Sequence, residues 1–272
     1  MTVNHHENVI PNVDIGVRFY KSNVDKYGYV PFHWHTSIEI VCVLDGELKF
    51  NFNGKSHRVK SQQFMVISSG VIHDVTNTPN TAFVLQIPLK FIENYHKHPE
   101  LLKFQIQDKN SPNYQKIINY FLELNQINDR HYAGYLFDFG AVLLFLLKVL
   151  ITDFSTSKTT KQAINTSNLK ELIAFINLNY AKPLSVQYLA QKINYNPNYL
   201  SRLFKQQIGL TITDYIYKIR INAFYQDLIK TDKPISELMI KHGLNNAKTT
   251  RKTFKNIYNK LPSQIRNDFH NK

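Results

Sequence analysis

SVQYLAQKINYNPNYLSRLFK, residues 185–205, decides how this chain is read. Ser185 is placed to cap a short helix whose apolar positions Val186, Leu189, Ala190 and Ile193 recur at helical spacing. Asn194-Tyr195 interrupts it. Asn196 then caps a second helix, with Pro197 in its first turn, where a missing N–H costs nothing. Leu200, Leu203 and Phe204 face inward, which leaves Asn198, Ser201, Arg202 and Lys205 on the opposite side. A helix whose outer face carries basic and amide side chains suits a DNA major groove. An ordinary helical hairpin with a solvated face has the same local pattern.

A second copy separates the two. Residues 236–255, SELMIKHGLNNAKTTRKTFK, repeat the layout: a capping Ser236, an apolar stripe, a turn at Gly243, a cap at Asn246 and a second helix. Between the copies, Thr213 is expected to cap a helix over Asp214–Lys230, with Ile216, Ile219, Ala223 and Leu228 facing a core. Such a helix is roughly 25 Å long. It can set two recognition helices about one DNA turn, ~34 Å, apart.

With these residues in view, the chain resembles the AraC family of bacterial transcription regulators. The resemblance rests on Leu184-Ser185…Leu189-Ala190, Tyr199–Lys205…Gly209, Ile219-Arg220…Ala223, Ile235–Leu238…Gly243, Phe254-Lys255 and Leu261-Pro262-Ser263, and covers roughly residues 169–269. The second copy departs from the family pattern at Met239, Thr250 and Asn259, and the first two predict looser packing there. Asn259 can still take the left-handed conformation a helix end needs. Base contacts are expected from Asn198, Ser201 and Arg202 in the first unit and from Lys248, Arg251 and Lys252 in the second. Lys205 and Lys255 are expected at phosphates.

Charge agrees with that placement. Residues 167–272 carry 17 Lys+Arg against 6 Asp+Glu, a net +11 out of +13 for the 272-residue chain. A basic last third on a near-neutral body is the footprint of a nucleic-acid module joined to something else. The single cysteine, Cys42, excludes an intramolecular disulfide and lies in an apolar run, which predicts a buried, inert thiol. The start, MTVNHHENVIPNVDIG, lacks a basic-then-apolar pattern, so no signal peptide is expected. The apolar window Leu136–Ile151 contains Asp138 and Lys148 and reads as too short and too charged for a bilayer. A soluble, cytoplasmic protein is the expectation.

Residues 15–90 read as short strands. Ile38–Leu44 is apolar throughout, as in a strand buried on both faces, and Leu48, Phe50 and Phe52 alternate with polar residues. Asn53-Gly54 signals a two-residue hairpin into Ser56–Val59; Phe64–Ile67 and Ala82–Ile87 add strands. The pattern implies a small antiparallel barrel or jelly roll.

Within it lie His33, His35, Glu39 and His73. Residues 33, 35 and 39 share parity, so one extended strand would aim all three at one face. The spacing His33-x-His35-x3-Glu39-x6-Gly46, then Gly70-x2-His73-x3-Asn77, resembles the cupin family, with Ser68 and Gln62-Gln63 departing from its pattern. The cluster admits three uses: a pocket for a small organic effector, a divalent metal site, or purely structural polar residues. Cupin-like sensor domains joined to AraC-type domains usually bind an effector, often a sugar. His33, His35, Glu39 and His73 are therefore read as effector-binding, with no cofactor and no metal assigned. Trp34 would suit a sugar face, but its parity is opposite to that of the histidine pair.

A helix is expected from Ser111-Pro112 to about Asn125 and another over Tyr132–Phe154. The second is apolar almost all round, and the family resemblance places a dimer interface there. Residues 152–167 are polar and aperiodic. The resulting expectation is an α+β chain. A cupin-like antiparallel β-barrel with a helical dimerisation segment (1–154) is followed by a linker (155–167). An all-α domain with two helix-turn-helix units (168–272) completes it. The expected partners are double-stranded DNA, a small-molecule effector, a second copy of the chain and, for an activator, RNA polymerase, with no membrane. The rival reading is a metal-dependent cupin enzyme with a helical appendage, which leaves the repeated hairpins and their charge unexplained.

Overall fold

In the computed structural model, which describes residues 7, 9–105, 111–157 and 167–270, the two apolar runs at 38–44 and 48–52 form one long strand. The strands are β1 (Arg18–Val24), β2 (Gly28–His33), β3 (Ser37–Phe52), β4 (Lys55–Lys60), β5 (Gln63–Ile67) and β6 (His73–Pro88). Among the described residues they make one antiparallel six-stranded sheet, in the order β1-β6-β3-β4, with β2 on β6 and β5 on β3. β3 survives the break between its two apolar patterns because register shifts at Val43/Asp45 and Gly46/Leu48 absorb it. Gly46 sits there at φ +80°, with the Pro79 carbonyl 2.2 Å from where a Cβ would be. Asn53 and Gly54, both at positive φ, turn β3 into β4 as expected.

Alternation gives the sheet two different faces. Ile38, Ile40, Cys42, Phe83, Leu85 and Ile87 pack with Phe19 onto α2 (Pro112–Arg130) and α3 (Tyr135–Phe154). Residues of opposite parity, among them Val41, Ala82 and Val84, form a separate inner cluster, which Phe50 joins beyond the register shifts of β3. Cys42 is buried and unpaired, and burial pushes its thiol up to about 12. A short helix α1 (Leu89–Ile92) and a 3₁₀ turn (Pro99–Leu101) lead to β7 (Leu102–Phe104), which pairs with β8 (Ser155–Ser157). The expected linker therefore begins with a paired strand, and its residues 158–166 lie outside the described residues. Ser111 caps α2, which runs five residues past the expected end, while α3 begins at Tyr135 rather than Tyr132. At twenty residues α3 is, by length and composition, able to cross a bilayer, contrary to the reading of the shorter window. In the fold Phe139, Leu143, Leu146 and Leu150 are buried against α2 and the sheet, and Phe137 and Phe145 are exposed.

The helical third comprises α4 (Ser167–Asn179), α5 (Val186–Lys192), α6 (Pro197–Ile208), α7 (Ile212–Lys230), α8 (Ile235–Lys241), α9 (Ala247–Tyr258) and α10 (Pro262–His270). Ser185, Asn196 and Asn246 cap α5, α6 and α9 through their side-chain oxygens. Two caps differ from expectation. Thr211, not Thr213, caps α7, because its hydroxyl accepts from the Asp214 N–H. Pro234 precedes α8 and leaves Ser236 inside its first turn. Helix α7 joins two cores: Tyr215, Ile216 and Ile219 pack with α4–α6, and Ile221, Phe224 and Leu228 with α8–α10.

The sheet domain docks on this helical body. Phe32 of β2 and Ile72 are buried in the α4–α7 core, with the Phe32 ring 5.4 Å from that of Tyr215. Tyr29 joins the second core. Asp74, fully buried, accepts from Tyr29, Asn51 and, at 3.2 Å, from Lys218 of α7. The Gly54 N–H donates to the Gln207 carbonyl at the end of α6, where Gly54 and Gly209 bring the backbones into contact.

Candidate functional site

Two regions carry chemistry. The first is the outer face of α6 and α9. Asn198, Ser201, Arg202, Lys205, Lys248, Arg251, Lys252 and Lys255 are all exposed, while Leu200, Leu203, Phe204, Thr250 and Phe254 anchor the opposite sides. The Ser201 hydroxyl donates back to the Pro197 carbonyl, so toward an outside partner it offers its lone pairs. Gly209 and Asn259 end the two helices in the left-handed conformation. The second unit is not loosened by Thr250. That side chain is fully buried, its hydroxyl donates to the Asn246 carbonyl, and it accepts from the Tyr217 hydroxyl across the core. Met239 fits as a partly buried member of the same core.

The second region is the inner face of the sheet. His33, His35, Glu39 and His73 do meet, though not from one strand. His33 ends β2, His35 lies in the turn, Glu39 is on β3, and His73 opens β6 opposite His33. The turn at Thr36 breaks the extended run. Ring centroids are 4.2 Å apart for His33–His73 and 5.3 Å for His35–His73. Each imidazole uses Nδ1 on a nearby carbonyl: Pro31 at 2.8 Å, Ser37 at 2.9 Å and Val71 at 3.0 Å. A carbonyl only accepts, so Nδ1 carries the hydrogen and, in the neutral ring, Nε2 presents a lone pair. The Nε2 atoms of His35 and His73 are buried and, among the described residues, lack hydrogen-bond partners; Glu39 is 3.4 and 3.8 Å away.

Charge in the cluster is uneven. Burial opposes ionisation of Glu39, but His35 alongside it and the other two imidazoles outweigh this and hold its carboxyl at about 2. Burial, reinforced by His33, drops His73 to about 3 and keeps it neutral. For His35, the carboxylate of Glu39 overcomes the opposing effect of burial and raises the imidazole. Gln86, opposite Glu39 in the ladder, donates to both Glu39 (2.7 Å) and Glu7 (3.0 Å).

These residues fit a divalent transition metal. One nitrogen from each of His33, His35 and His73 lies within 4.8 Å of the others. Anchored Nδ1 hydrogens and orphaned Nε2 lone pairs are the arrangement that imidazole ligation uses. When bound, such an ion would supply a Lewis acid centre.

Beside the cluster lies a cavity of about 750 Å³. His33 and Glu39 line it; His35 and His73 are buried next to it and do not. Trp34 is absent from its walls and packs instead on the α4–α7 core, so the aromatic platform a sugar would use is elsewhere. The barrel walls are mostly apolar, with Val41, Phe50 and Val84 prominent. The opposite wall belongs to the helical body and was not foreseen from the sequence. Asn177, Tyr180, Ile219, Asn222, Ala223, Gln226, Asp227, Lys241 and His242 supply it. The one sequence signal was Asn177, a polar residue set between Ile176 and Leu178 in an apolar helix.

A profile of helix-turn-helix domains matches residues 189–268, and a profile of cupin domains matches residues 22–87. An uncharacterized HTH-type transcriptional regulator, YdeC of Bacillus subtilis, is 22% identical over 265 residues, covering 92% of this chain and 91% of that protein. The melibiose operon regulatory protein of Escherichia coli K12 is 23% identical over 253 residues, covering 86% of this chain and 82% of its own length. Among solved structures, ToxT from Vibrio cholerae aligns with a TM-score of 0.45 at 12% identity, over 92% of this chain and 97% of that one. An AraC-type DNA-binding regulator from Chromobacterium violaceum aligns over 36% of this chain and 88% of its own, at 28% identity and a TM-score of 0.34.

Proposed function

We propose that this chain, which carries a helix-turn-helix domain and a cupin domain, is an AraC-type DNA-binding transcription regulator in which a small-molecule effector in the sheet domain controls how the two recognition helices engage DNA. The observation that carries the reading is the shared cavity: α7, which holds both recognition units, also walls the space beside His33 and Glu39. An effector there would touch the sensor and the helix that spaces α6 and α9 at once. It shifts DNA affinity only by its preference for one arrangement over another, typically about 1–3 kcal/mol. The protein would work in the cytoplasm, as a regulator rather than an enzyme. A homodimer through the exposed Phe137 and Phe145 face of α3 is part of the same reading, as is contact with RNA polymerase where the outcome is activation. The proposed limits of the two domains are 1–157 and 167–272, because β8 pairs with β7 and α4 opens at Ser167.

DNA contacts are assigned to Asn198, Ser201, Arg202, Lys248, Arg251 and Lys252 for bases and to Lys205 and Lys255 for phosphates. Genome-wide mapping of bound sites supplies the operator. On it, Arg202→Ala and Arg251→Ala should each cost about 1–3 kcal/mol while leaving random-sequence binding nearly unchanged; Lys205→Ala should weaken both alike and flatten the salt dependence. Binding that ignores sequence, unaltered by Arg202→Ala, would remove the base-reading role. Glu39→Gln should abolish the effector's influence on transcription and leave effector-free operator affinity intact.

A second reading is favoured by the orphaned Nε2 atoms: His33, His35, His73 and Glu39 hold a divalent ion that stabilises the effector site. Purified protein should then contain stoichiometric metal, and a chelator should lower its melting temperature by an amount that grows with the ion's affinity. His73→Ala should lose both metal and that response. Metal-free protein that melts identically with and without added Zn²⁺, Mn²⁺, Fe²⁺ or Ni²⁺ would leave the cluster as part of a metal-free pocket.

A further inference from the structure

The cavity's chemistry goes further than its position. Its charged wall residues are already matched within the protein. Glu7 is paired with Arg18 at 2.7 Å, Glu39 lies 3.4 Å from the His35 imidazole and also accepts from Gln86, and Asp227 takes both Lys241 (2.5 Å) and His242 (2.9 Å). Lys241, the one lysine or arginine on the walls formed by described residues, is therefore spoken for. A bound anion would have to give up its water with no free cation in return. Between the charged ends the barrel contributes valines and Phe50, and α7 contributes Ile219 and Ala223.

One polar group stands out against this surface. Asn177 of α4 is 4% exposed and lines the cavity; its Oδ1 accepts from the Tyr215 hydroxyl at 2.8 Å. Its Nδ2, also buried, has no hydrogen-bond partner among the described residues. A buried donor left unpaired carries a penalty, and an acceptor in the cavity that Asn177 lines would relieve it by drawing the amide N–H toward the cavity. The donor belongs to the helical domain, not to the barrel.

Resting on the effector reading above, we propose that the effector is an uncharged, mainly apolar molecule with a carbonyl-type acceptor, held between the barrel and α4/α7, its acceptor meeting Asn177. The DNA-binding domain is then half of the effector site. Effector occupancy and the relative placement of the domains are one equilibrium.

The probe is prodan, an uncharged naphthalene ketone, titrated into the full chain in EDTA so that no bound ion adds charge. Its emission should rise and shift to the blue at one saturable site. Anilinonaphthalene sulfonate should bind at least about tenfold more weakly. Filling the cavity from either side, by Val84→Trp on β6 or Ala223→Trp on α7, should weaken prodan by about tenfold or more. Asn177→Leu should weaken prodan about fivefold, while N-phenyl-1-naphthylamine, which has no carbonyl, keeps its affinity. Folding of each variant is checked by its thermal melt, with Val84→Phe or Ala223→Leu replacing one that melts early. Prodan binding lost in the β6 variant but untouched in the α7 variant would overturn the shared site and leave the barrel alone as the effector site. Equal binding of the sulfonate would overturn the uncharged class. Equal loss of both neutral probes in Asn177→Leu would overturn the role of Asn177. Binding unaffected by either cavity-filling variant would overturn the cavity as the site, and the effector reading with it.

Discussion

Replacing Arg220 with alanine is expected to destabilise the helical domain by about 3–4 kcal/mol, lowering its melting temperature by on the order of 15 °C. Arg220 lies midway along α7, and its guanidinium donates to three backbone carbonyls: Nε to Tyr180 (2.8 Å), Nη1 to Gly243 (2.9 Å) and Nη2 to Lys182 (2.9 Å). These carbonyls sit in the loop after α4 and in the turn of the second helix-turn-helix unit. One side chain thus ties both recognition units to their common helix. Alanine removes three donors at once, two of which serve part-buried carbonyls. Lysine keeps the charge but not the planar fork, so Arg220→Lys should recover only part of the loss. Operator affinity should fall with stability, since the spacing of α6 and α9 depends on the same clamp. A melt of Arg220→Ala within a few degrees of the parent would refute the clamp.

The second large effect is expected at the domain junction. Phe32→Ala removes a side chain that is 0% exposed and belongs by sequence to the sheet but by packing to the α4–α7 core. Deleting a buried phenylalanine costs about 3–5 kcal/mol. Here the loss falls on the junction as well as on the helical core. Scanning calorimetry should therefore show one transition for the parent and two for the variant, and operator affinity should cease to respond to whatever occupies the cavity. Lys218→Met should act in the same direction, because it leaves buried Asp74 with two hydrogen bonds but no cation. A Phe32→Ala protein that melts in one transition and keeps its ligand response would show the junction to be incidental.

What was legible in the sequence is what short-range physics encodes. Capping at Ser185, Asn196 and Asn246 depends on a side chain and a backbone N–H two or three residues away. The Asn53-Gly54 turn depends on two adjacent residues tolerating positive φ. Where neighbouring residues competed for the same role, local signals were insufficient: Thr211 took the cap expected of Thr213, and Pro234 displaced Ser236. The two basic faces were readable because helical periodicity separates inside from outside whatever the helix packs against.

Periodicity marks a residue as buried without naming its partner, and there the tertiary structure decided. Phe32, Tyr29 and Ile72 follow the pattern of barrel residues, yet they are buried in the cores of the helical domain. The histidine–glutamate cluster was visible as a set, but its assembly through the end of β2, a turn and β6 required the fold. Thr250 looked like a packing defect until Tyr217, thirty-three residues away, supplied its partner. Asn177 is an ordinary amide on an apolar helix until the fold buries it at the cavity wall, where its Nδ2 has no partner among the described residues. Which faces turn inward is written in the spacing of residues along one chain. Which domains share a core, and that the cavity beside the histidine cluster is walled by the helix linking the two helix-turn-helix units, follow only from long-range packing, which no local pattern records.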